Sequence, residues 1–374
     1  MSVHIVPVLD AKSLKAFVRF PNRLYQSDPN WVAPLEIERL AFFNPKKNPF
    51  FRTGEAQLFL AMENERCVGR ISAHIHHRHL ERHKDAAGFF GFFDAVSDNK
   101  AATALVETAA DWLRSKGMQT MRGPFNLTVN DEVGVLVDGF DAPPAVMMNH
   151  NFPYYGPLLE TAGLKKIKDL FAWYYDVGEI SEPAKELAEA TRAHPGLSIR
   201  SFNKKDFDGE IRRMLVLFNE VWSQNWGFVP MTEEEMHHAA KQLKPILDPE
   251  MAFFVFVDND PAAFSVALPN FNEAIRGLNG KLLPFGFLKL LWRLKRGLQS
   301  ARLCLMGIRK PYRGGALGAL SVLMNVEIHR RGVQRGYKQA ELSWTLEDND
   351  RINMGIEFMG GRRYKTYRIY EMPL

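Results

Sequence analysis

The chain has 374 residues, of which 46% are hydrophobic and 24% are charged. This is the composition of an ordinary globular protein, and it excludes disordered, collagen-like and coiled-coil proteins. Lys and Arg number 48 and Asp and Glu number 43, so the formal net charge of +5 gives only a mild preference for an anionic ligand, a membrane surface or nucleic acid.

Two cysteines, Cys67 and Cys304, exclude a disulfide scaffold and cannot by themselves build a zinc site. The first 17 residues include Asp10 and Lys12 and lack a long apolar core, so we expect no signal peptide. No apolar run reaches the roughly 18 residues that span a bilayer. A cytoplasmic location follows as the expectation.

The predicted elements follow the same order in both halves of the chain. Val3–Val8 alternates like a half-buried strand, an amphipathic stretch follows, and residues 57–62 and 67–75 form a predicted strand pair. The second half repeats this order with a strand at 197–202, a helix at 206–222, and strands at 251–257 and 262–268. Each half therefore predicts a mixed α/β fold.

Equivalent positions in the two halves are separated by a nearly constant number of residues. Val3 and Ser198 lie 195 residues apart, as do Gln57 and Ala252. The spacing widens before the next strand, which indicates an insertion at about 270–300 of the second half. We expect an internal duplication with domains at 1–178 and 197–374 and a linker at 179–196. The alternative is that any two α/β halves can be placed in rough register.

A glycine-rich segment, Ile308–Leu320, lies between a predicted strand and an amphipathic helix. Glycines permit a tight turn and close approach of backbone N–H groups, and a helix N-terminus attracts anions. The segment has neither the Walker pattern nor the Gly-x-Gly-x-x-Gly pattern. We expect it to bind a pyrophosphate, and the alternative is a purely structural turn.

The order Arg313, Ala316, Gly318 after a strand and a proline resembles the acyl-coenzyme A (acyl-CoA) loop of the GNAT N-acyltransferase superfamily, with Ala316 in place of the usual first glycine. Gln339–Trp344 resembles its fifth strand, and Asn349 the asparagine that often opens its last helix. The resemblance implies acyl-CoA as co-substrate and a cofactor site formed by Met306, Gly307, Ile308, Arg313, Gly314, Gly315, Ala316, Leu317, Gly318, Ala319 and Asn349.

The first half resembles the superfamily only in strand order. Phe93–Lys100 leads into a helix without a glycine-rich loop. We therefore expect two tandem GNAT-like domains, of which the first is degenerate, and a single cofactor site in the second.

In the superfamily an amine attacks the thioester carbonyl directly, and a tyrosine in the last helix often protonates the leaving thiolate. Ile356 stands at the position of that tyrosine here, so Tyr364 and Tyr155 are the candidates to replace it. The candidates for the general base are Glu341 and Asp94. Each of these carboxylates is alternatively solvated or ion-paired.

Two further segments are candidates for the acceptor site. Asn130 and Glu132 lie in a polar loop after a predicted strand, where site residues are often found. Asn225, Trp226 and Phe228 follow the first helix of the second half, and the resemblance implies that this loop shapes the acceptor pocket. The alternative is an aromatic loop that packs on the core. Tyr155 is also a candidate substrate contact.

Histidines cluster at the end of one predicted strand. His74 and His76 share a strand face, but no cysteine or carboxylate completes a defined ligand spacing. We therefore expect no metal site, and we expect the histidines to form a solvated basic strand end.

The insertion contains the amphipathic segment Lys281–Gln299. In a helix, Phe287, Leu291 and Leu294 share one face, with cationic residues opposite, as in helices that lie on a membrane surface. The segment favours membrane docking or a lid over a long acyl chain. The alternative is a helix packed on its domain.

These features predict an acyl-CoA-dependent N-acyltransferase that transfers an acyl group, favoured to be a fatty acyl group, to an amine without a covalent enzyme intermediate. The chain resembles the bacterial ceramide synthases, whose amine is a sphingoid base. It would lie in the cytoplasm, peripheral on the inner membrane. The alternatives are a non-catalytic (acyl-)CoA-binding regulatory module at the membrane, and a transferase that uses aminoacyl-tRNA, although we see no RNA-recognition motif.

Overall fold

The computed structural model describes residues 3–374 and divides into two compact units, neither of them a single continuous segment. The first unit comprises the chain up to Leu170 together with Ala274–Trp292 and Lys365–Leu374. The second comprises Phe171–Glu273 and Arg293–Tyr364. The predicted boundaries at 178 and 197 stay a prediction.

The first unit alternates strands and helices, as its sequence predicts. Its strands are β1 (His4–Pro7), β2 (Gly54–Glu63), β3 (Arg66–His76), β4 (Ala87–Ala95), β5 (Thr120–Gly123) and β6 (Val135–Asp138). Its helices are α1 (Ala11–Leu24), α2 (Glu36–Phe42), α3 (Phe50–Thr53), α4 (His77–His83), α5 (Asn99–Ser115) and α6 (Tyr155–Thr161).

The second unit repeats this arrangement. Its strands are β8 (Leu197–Ser201), β9 (Ala252–Val257), β10 (Asp260–Pro269), β11 (Ser300–Ile308) and β12 (Gln339–Leu346). Its helices are α7 (Glu182–Arg192), α8 (Phe207–Val221), α9 (Glu233–Leu243), α12 (Leu320–Gln334) and α13 (Asp350–Phe358). Four elements have residues in both units: β7 (Lys165–Asp176), β13 (Arg362–Pro373), α10 (Phe271–Ile275) and α11 (Gly286–Arg296).

Strand pairing follows one scheme in both units. In the first, β1, β2, β3 and β4 pair antiparallel in sequence order, and β4 then pairs parallel with β5. In the second, β8, β9, β10 and β11 pair antiparallel, and β11 then pairs parallel with β12. The mixed α/β class that the sequence predicts is confirmed.

The parallel pair of each unit is hydrogen-bonded over only part of its length. In the second unit, Ser300–Leu303 pairs with Gln339–Leu342, although β11 continues to Ile308 and β12 to Leu346. We call the ends of these two strands that do not pair with each other, Cys304–Ile308 and Ser343–Leu346, the fork. The fork leaves backbone groups of β11 without a β12 partner, beside the glycine-rich segment that follows β11.

Burial explains why α5 and β4 form the centre of the first unit. All nine residues of β4 are buried, as in a strand covered on both faces. Ala101, Leu105, Ala109 and Leu113 recur every four residues along α5 and are fully buried, so one face of the helix packs into the core.

The segment predicted as a linker contains a packed helix. Ala184 and Ala188 of α7 are buried, and Ala188 belongs to a core cluster with Phe253 of β9 and Leu323 of α12. Residues 182–192 therefore contribute to the core of the second unit.

Three of the five histidines in β3 and α4 are buried, so the expectation of a solvated strand end was wrong for these three. His74, His76 and His79 are each less than 9% exposed. Burial lowers the pKa of His74 and of His76 to about 3 and that of His79 to about 4. The burial was not predicted because histidines that alternate along a strand are typical of an exposed face. Both faces of β3 are covered here, with Phe50 and Phe89 beside His74.

Candidate active site

A chain of polar side chains crosses β11, β12 and β13 in the second unit. Arg302 Nε donates a hydrogen bond to Ser343 Oγ (2.8 Å), and Ser343 Oγ donates to Glu341 Oε1. Arg302 Nε also lies 3.6 Å from the same carboxylate oxygen. The Tyr364 hydroxyl donates to the other oxygen, Oε2. The carboxylate of Glu341, which is 5% exposed, is thus held from both sides.

The strand geometry explains this arrangement. Glu341 and Ser343 are two residues apart on β12, so their side chains point to the same face of the sheet. Arg302 is the register partner of Glu341 on β11. Sequence reasoning found Glu341 and Tyr364 but missed Arg302 and Ser343, whose only signal was the two-residue spacing and the preceding strand.

Cys304 lies two residues after Arg302, where the fork begins. Burial raises the pKa of its thiol, and the charge of Glu341 raises it further, while Arg302 acts in the opposite sense. The thiol is therefore protonated at neutral pH, which does not favour a cysteine nucleophile.

The glycine-rich segment places an open helix N-terminus after β11. Gly315 has φ of +58°, and a Cβ atom at Gly314 or Gly315 would meet no atom within 4 Å. Ala319 precedes α12 and makes no side-chain capping bond. Among residues 3–374, the N–H groups of Gly314, Gly315 and Ala316 find no acceptor. These donors and the positive end of the helix dipole suit an anion.

Two arginines flank this N-terminus and differ in their ion pairing. Arg309 is bound to Glu220 (2.8 Å) and Asp260 (2.6 Å), so its charge is offset. Arg313 is exposed, and within the described residues 3–374 its side chain donates only to a backbone carbonyl, that of Ile308 (2.7 Å). Arg313 is the better of the two for an anionic ligand.

The corresponding helix of the first unit, α5, is capped by its own sequence. The carboxylate of Asp98 accepts a hydrogen bond from the N–H of Lys100 (3.0 Å). This negative charge stands at the helix N-terminus, where an external anion would otherwise bind.

The predicted cofactor residues of β11 pack against the end of α8. A Cβ atom at Gly307 would lie 2.6 Å from the ring of Trp222, so glycine permits this close approach. Met306 and Ile308 on either side pair with β10. The contact positions the segment that follows Trp222 beside β11.

That segment contains the three predicted acceptor residues of the second half. Phe228 is buried and its ring lies 5.7 Å from that of Phe218, so it contributes to the core. Asn225 and Trp226 are partly exposed. The structure thus places the side chain of Phe228 in the core and those of Asn225 and Trp226 partly at the surface.

Asp94 and Tyr155 come together in the first unit, in a buried network. The hydroxyls of Tyr25 and Tyr155 lie 2.8 and 3.1 Å from Asp94 Oδ1, and Arg70 Nε donates to Oδ2 (2.7 Å). Burial raises the pKa of both tyrosines well above 10. The direct ion pair of Asp94 with Arg70 is typical of a structural carboxylate.

Glu132 is likewise engaged within the first unit. It forms an ion pair with Arg39 and accepts a hydrogen bond from Asn126 Nδ2 (2.7 Å). Burial alone would raise the pKa of Glu132, but the charge of Arg39 and the hydrogen bonds from Arg39 and Asn126 together outweigh it and lower the pKa. Asn130 is partly exposed, and its N–H donates to Thr128 Oγ1 (3.1 Å).

The remaining predicted residues lie at α13. The side chain of Asn349 accepts a hydrogen bond from the N–H of Ile352 (3.4 Å) and so caps this helix. Ile356 packs against Gly361, where a Cβ atom would lie 2.4 Å from its side chain. Within residues 3–374, no three His, Cys, Asp or Glu side chains are grouped to hold a metal ion, and no helix has the length and apolarity to cross a bilayer.

Two curated proteins are similar to this chain over nearly its whole length, while no family model matches it. The bacterial ceramide synthase of Caulobacter vibrioides is 43% identical over 377 residues, which cover 99% of this chain and 97% of that protein. The protein YghO of Escherichia coli is 41% identical over 370 residues, covering 98% of this chain and 94% of that protein.

Solved structures show the same fold at low identity. A tandem GNAT protein from the clavulanic acid biosynthesis pathway matches with a TM-score of 0.61 and 12% identity, covering 100% of this chain and 98% of that one. A GCN5-related N-acetyltransferase from Sphaerobacter thermophilus matches with a TM-score of 0.55 and 11% identity, covering 99% and 95%. The tandem GNAT fold that the sequence predicts is confirmed.

Proposed function

The chain belongs to the family that includes the bacterial ceramide synthase of Caulobacter vibrioides and YghO of Escherichia coli, and on that premise we propose that it transfers a fatty acyl group from acyl-CoA to a lipid amine such as a sphingoid base. The observation that carries the proposal is the open N-terminus of α12, which lies in the same unit as the fork and the Glu341–Tyr364 pair. Acyl transfer from a nucleotide thioester requires both an anion site and groups that transfer protons.

The residues around α12 fit the pyrophosphate of CoA. The free N–H groups of Gly314, Gly315 and Ala316 would bind it, and the exposed guanidinium of Arg313 adds positive charge. When bound, CoA supplies the activated thioester carbonyl. A backbone N–H within Cys304–Ile308 that faces the fork would polarise that carbonyl.

The proton transfers are assigned to the polar chain on β11, β12 and β13. The amine nitrogen forms a bond with the carbonyl carbon, the carbon–sulfur bond breaks, and Glu341 takes the proton that the amine loses. Tyr364 gives its phenol proton to the departing thiolate and regains one from Glu341, to which it is hydrogen-bonded. The net result is one amide and one thiol.

Arg302 and Ser343 are positioning residues in this scheme. Their hydrogen bonds fix Oε1 of Glu341 and leave Oε2 to Tyr364. Tyr364 thereby compensates for Ile356, which stands where the superfamily often has its acid.

A lipid acceptor and a long acyl donor are supported by the exposed apolar side chains of α11. Leu291 is 59% exposed and Trp292 is 55% exposed, and Phe287, Leu288 and Leu294 are exposed beside them. Exposed apolar side chains of this kind, interleaved with Lys and Arg, suit the interface of a membrane. We therefore propose peripheral attachment through Lys281–Gln299.

The first experiment is a transfer assay with palmitoyl-CoA and a sphingoid base, in which the amide is detected by mass spectrometry and CoA as free thiol. Cys67 and Cys304 set a fixed thiol background that a blank without amine corrects. We expect amide and CoA in equal amounts, and we expect acetyl-CoA to be a poor donor. Acyl-CoA binding without amide formation would instead indicate the regulatory module, and transfer only from charged tRNA would indicate the transferase that uses aminoacyl-tRNA.

A further inference from the structure

A positively charged groove on the first unit has no part in the acyl transfer proposed above. It encloses about 1100 Å³ between α1 and the segment Arg276–Lys281. We call it the basic groove, and define it by the six cationic side chains that line it: Lys12, Lys15, Arg19, Arg23, Arg276 and Lys281.

Four of these cations form a stripe along α1. Lys12, Lys15, Arg19 and Arg23 are separated by three, four and four residues, so they share one face of the helix, and all four are exposed. Like charges at such spacings disfavour one another. A negative partner supplied from outside would relieve this repulsion.

The acidic residues in the groove already have partners. Glu36 accepts two hydrogen bonds from Arg19 (2.9 and 2.6 Å), and Asp28 Oδ2 lies 2.8 Å from His150 Nε2. By contrast, Lys15 and Lys281 form no salt bridge within residues 3–374. The groove therefore retains uncompensated positive charge.

The wall opposite α1 is fixed by hydrogen bonds to backbone carbonyl groups. The N–H of Glu36 donates to the carbonyl of Gly280 (2.9 Å), and Arg276 donates to the carbonyl of Pro29 (2.7 Å). Gly280 has φ of +75°, and a Cβ atom there would lie 2.8 Å from the carbonyl oxygen of Pro34. The shape of the groove is thus held by specific contacts within the first unit.

The groove also has hydrogen-bonding groups that nothing satisfies. Asn22 Oδ1 and Trp31 Nε1 are buried, both residues line the groove, and neither atom has a partner within residues 3–374. A ligand with both donor and acceptor atoms, or a water that it retains, would satisfy them.

The wall of the groove continues directly into exposed apolar chain. Leu283 is 78% exposed and Phe285 is 73% exposed, immediately after Lys281. A small phosphate ester in solution would make no contact with an apolar surface next to its binding site. A bilayer with anionic headgroups presents negative phosphates above an apolar interior, and it matches both parts at once.

We propose that the basic groove binds the phosphate headgroups of anionic phospholipids while residues 283–292 enter the headgroup boundary. The proposal rests on the membrane attachment proposed above. It adds the polar contacts, which are those between the basic groove and the phosphate headgroups. It makes the first unit, which lacks the phosphate loop, the part of the chain that recognises the membrane.

The test is sedimentation with phosphatidylcholine vesicles, with and without phosphatidylglycerol. We expect tighter binding when phosphatidylglycerol is present, and a loss of at least about tenfold in that binding for the triple variant Lys12→Gln, Lys15→Gln, Arg23→Gln. The matched control is Lys46→Gln, Lys47→Gln, Lys100→Gln, which removes the same charge from exposed lysines of the first unit outside the groove.

Two results would overturn the proposal. An equal loss in both triple variants would show that total charge, and not the groove, determines binding. Tight binding of soluble glycerol phosphate by calorimetry, lost only in the groove variant, would make this a site for a free phosphate ester.

A transfer assay in neutral detergent micelles separates this proposal from the catalytic one. The groove variant is expected to form amide there at the rate of the unaltered protein, since its residues are not assigned to the reaction. Absence of amide from every variant would contradict the proposed function and leave the vesicle result to decide on the groove.

Discussion

The hydroxyl of Tyr364 on β13 donates a hydrogen bond to Oε2 of Glu341 on β12, although the two residues are 23 positions apart. Glu341→Gln removes the proposed base and is expected to lower kcat by roughly 10²–10⁴-fold.

Tyr364→Phe removes the proposed acid and is expected to lower kcat by about 10–100-fold, with KM for acyl-CoA little changed. Steady-state kinetics across pH measures both effects.

Tyr174→Phe is the matched control for this pair. The Tyr174 ring lies 6.1 Å from that of Tyr364, and its hydroxyl donates to Asp176 (2.8 Å) at the surface. The control is expected to leave kcat unchanged. A Tyr364→Phe enzyme that is as active as the control would remove Tyr364 from the mechanism.

The open N-terminus of α12 gives a prediction about affinity. Ala319→Asp places a carboxylate at the N-terminus of α12, next to the proposed pyrophosphate site, so acyl-CoA affinity is expected to fall by at least about tenfold, because the added negative charge repels the pyrophosphate and offsets the positive end of the helix dipole. Calorimetry measures the dissociation constant. Val333→Asp puts the same charge at the exposed far end of α12 and is expected to leave affinity unchanged; equal losses in both would argue against this site.

The contact between Gly307 and Trp222 gives a prediction about stability. Gly307→Ala places a methyl group 2.6 Å from the indole ring and is expected to lower the free energy of unfolding by about 1–3 kcal/mol. Gly332→Ala, within α12 and with no atom within 4 Å of the new methyl group, is expected to raise it by up to about 1 kcal/mol. Urea unfolding compares the two, and equal effects would contradict the assigned contact.

The buried histidines give a prediction about acid stability. The pKa of His74 and of His76 is about 3 in the folded chain and about 6.5 when unfolded, so the unfolded state binds more protons between these values. The free energy of unfolding therefore falls as the pH is lowered from 6.5 towards 3, by up to about 1.4 kcal/mol per pH unit for each histidine.

His74→Gln removes one of these groups and is expected to make the pH dependence shallower, as measured by urea midpoints between pH 7 and pH 5. His77→Gln, at an exposed position of the same segment, serves as the control. An unchanged slope for His74→Gln would show that this imidazole does not limit stability in acid.

Local patterns made the order of elements and the glycine-rich turn predictable. Alternation marked β2 and β3, and Gly314 to Gly318 marked the turn before α12, because both signals lie within a few consecutive residues. The exposed apolar side chains of α11 were predictable for the same reason, from the spacing of Phe287, Leu291 and Leu294.

The polar networks were not predictable, because they depend on strand register and on distant partners. Nothing near Glu341 in the sequence indicates that Arg302 is its register partner. Nothing near Asp94 indicates that Tyr25, 69 positions earlier, engages its carboxylate. The burial of His74 depends on the covering of both faces of β3, which alternation alone does not reveal.

The carboxylate of Asp98 makes the stability of α5 independent of any bound ligand. A helix that carries its own negative cap is stabilised at all times, by an amount of about 1 kcal/mol that no metabolite can alter. The N-terminus of α12 has no side-chain cap. On the proposed function, bound acyl-CoA would supply the stabilising negative charge there, and the stabilisation would rise with the logarithm of the acyl-CoA concentration. The second unit is then expected to unfold more readily by heat and to be cleaved more readily by proteases when acyl-CoA is withdrawn.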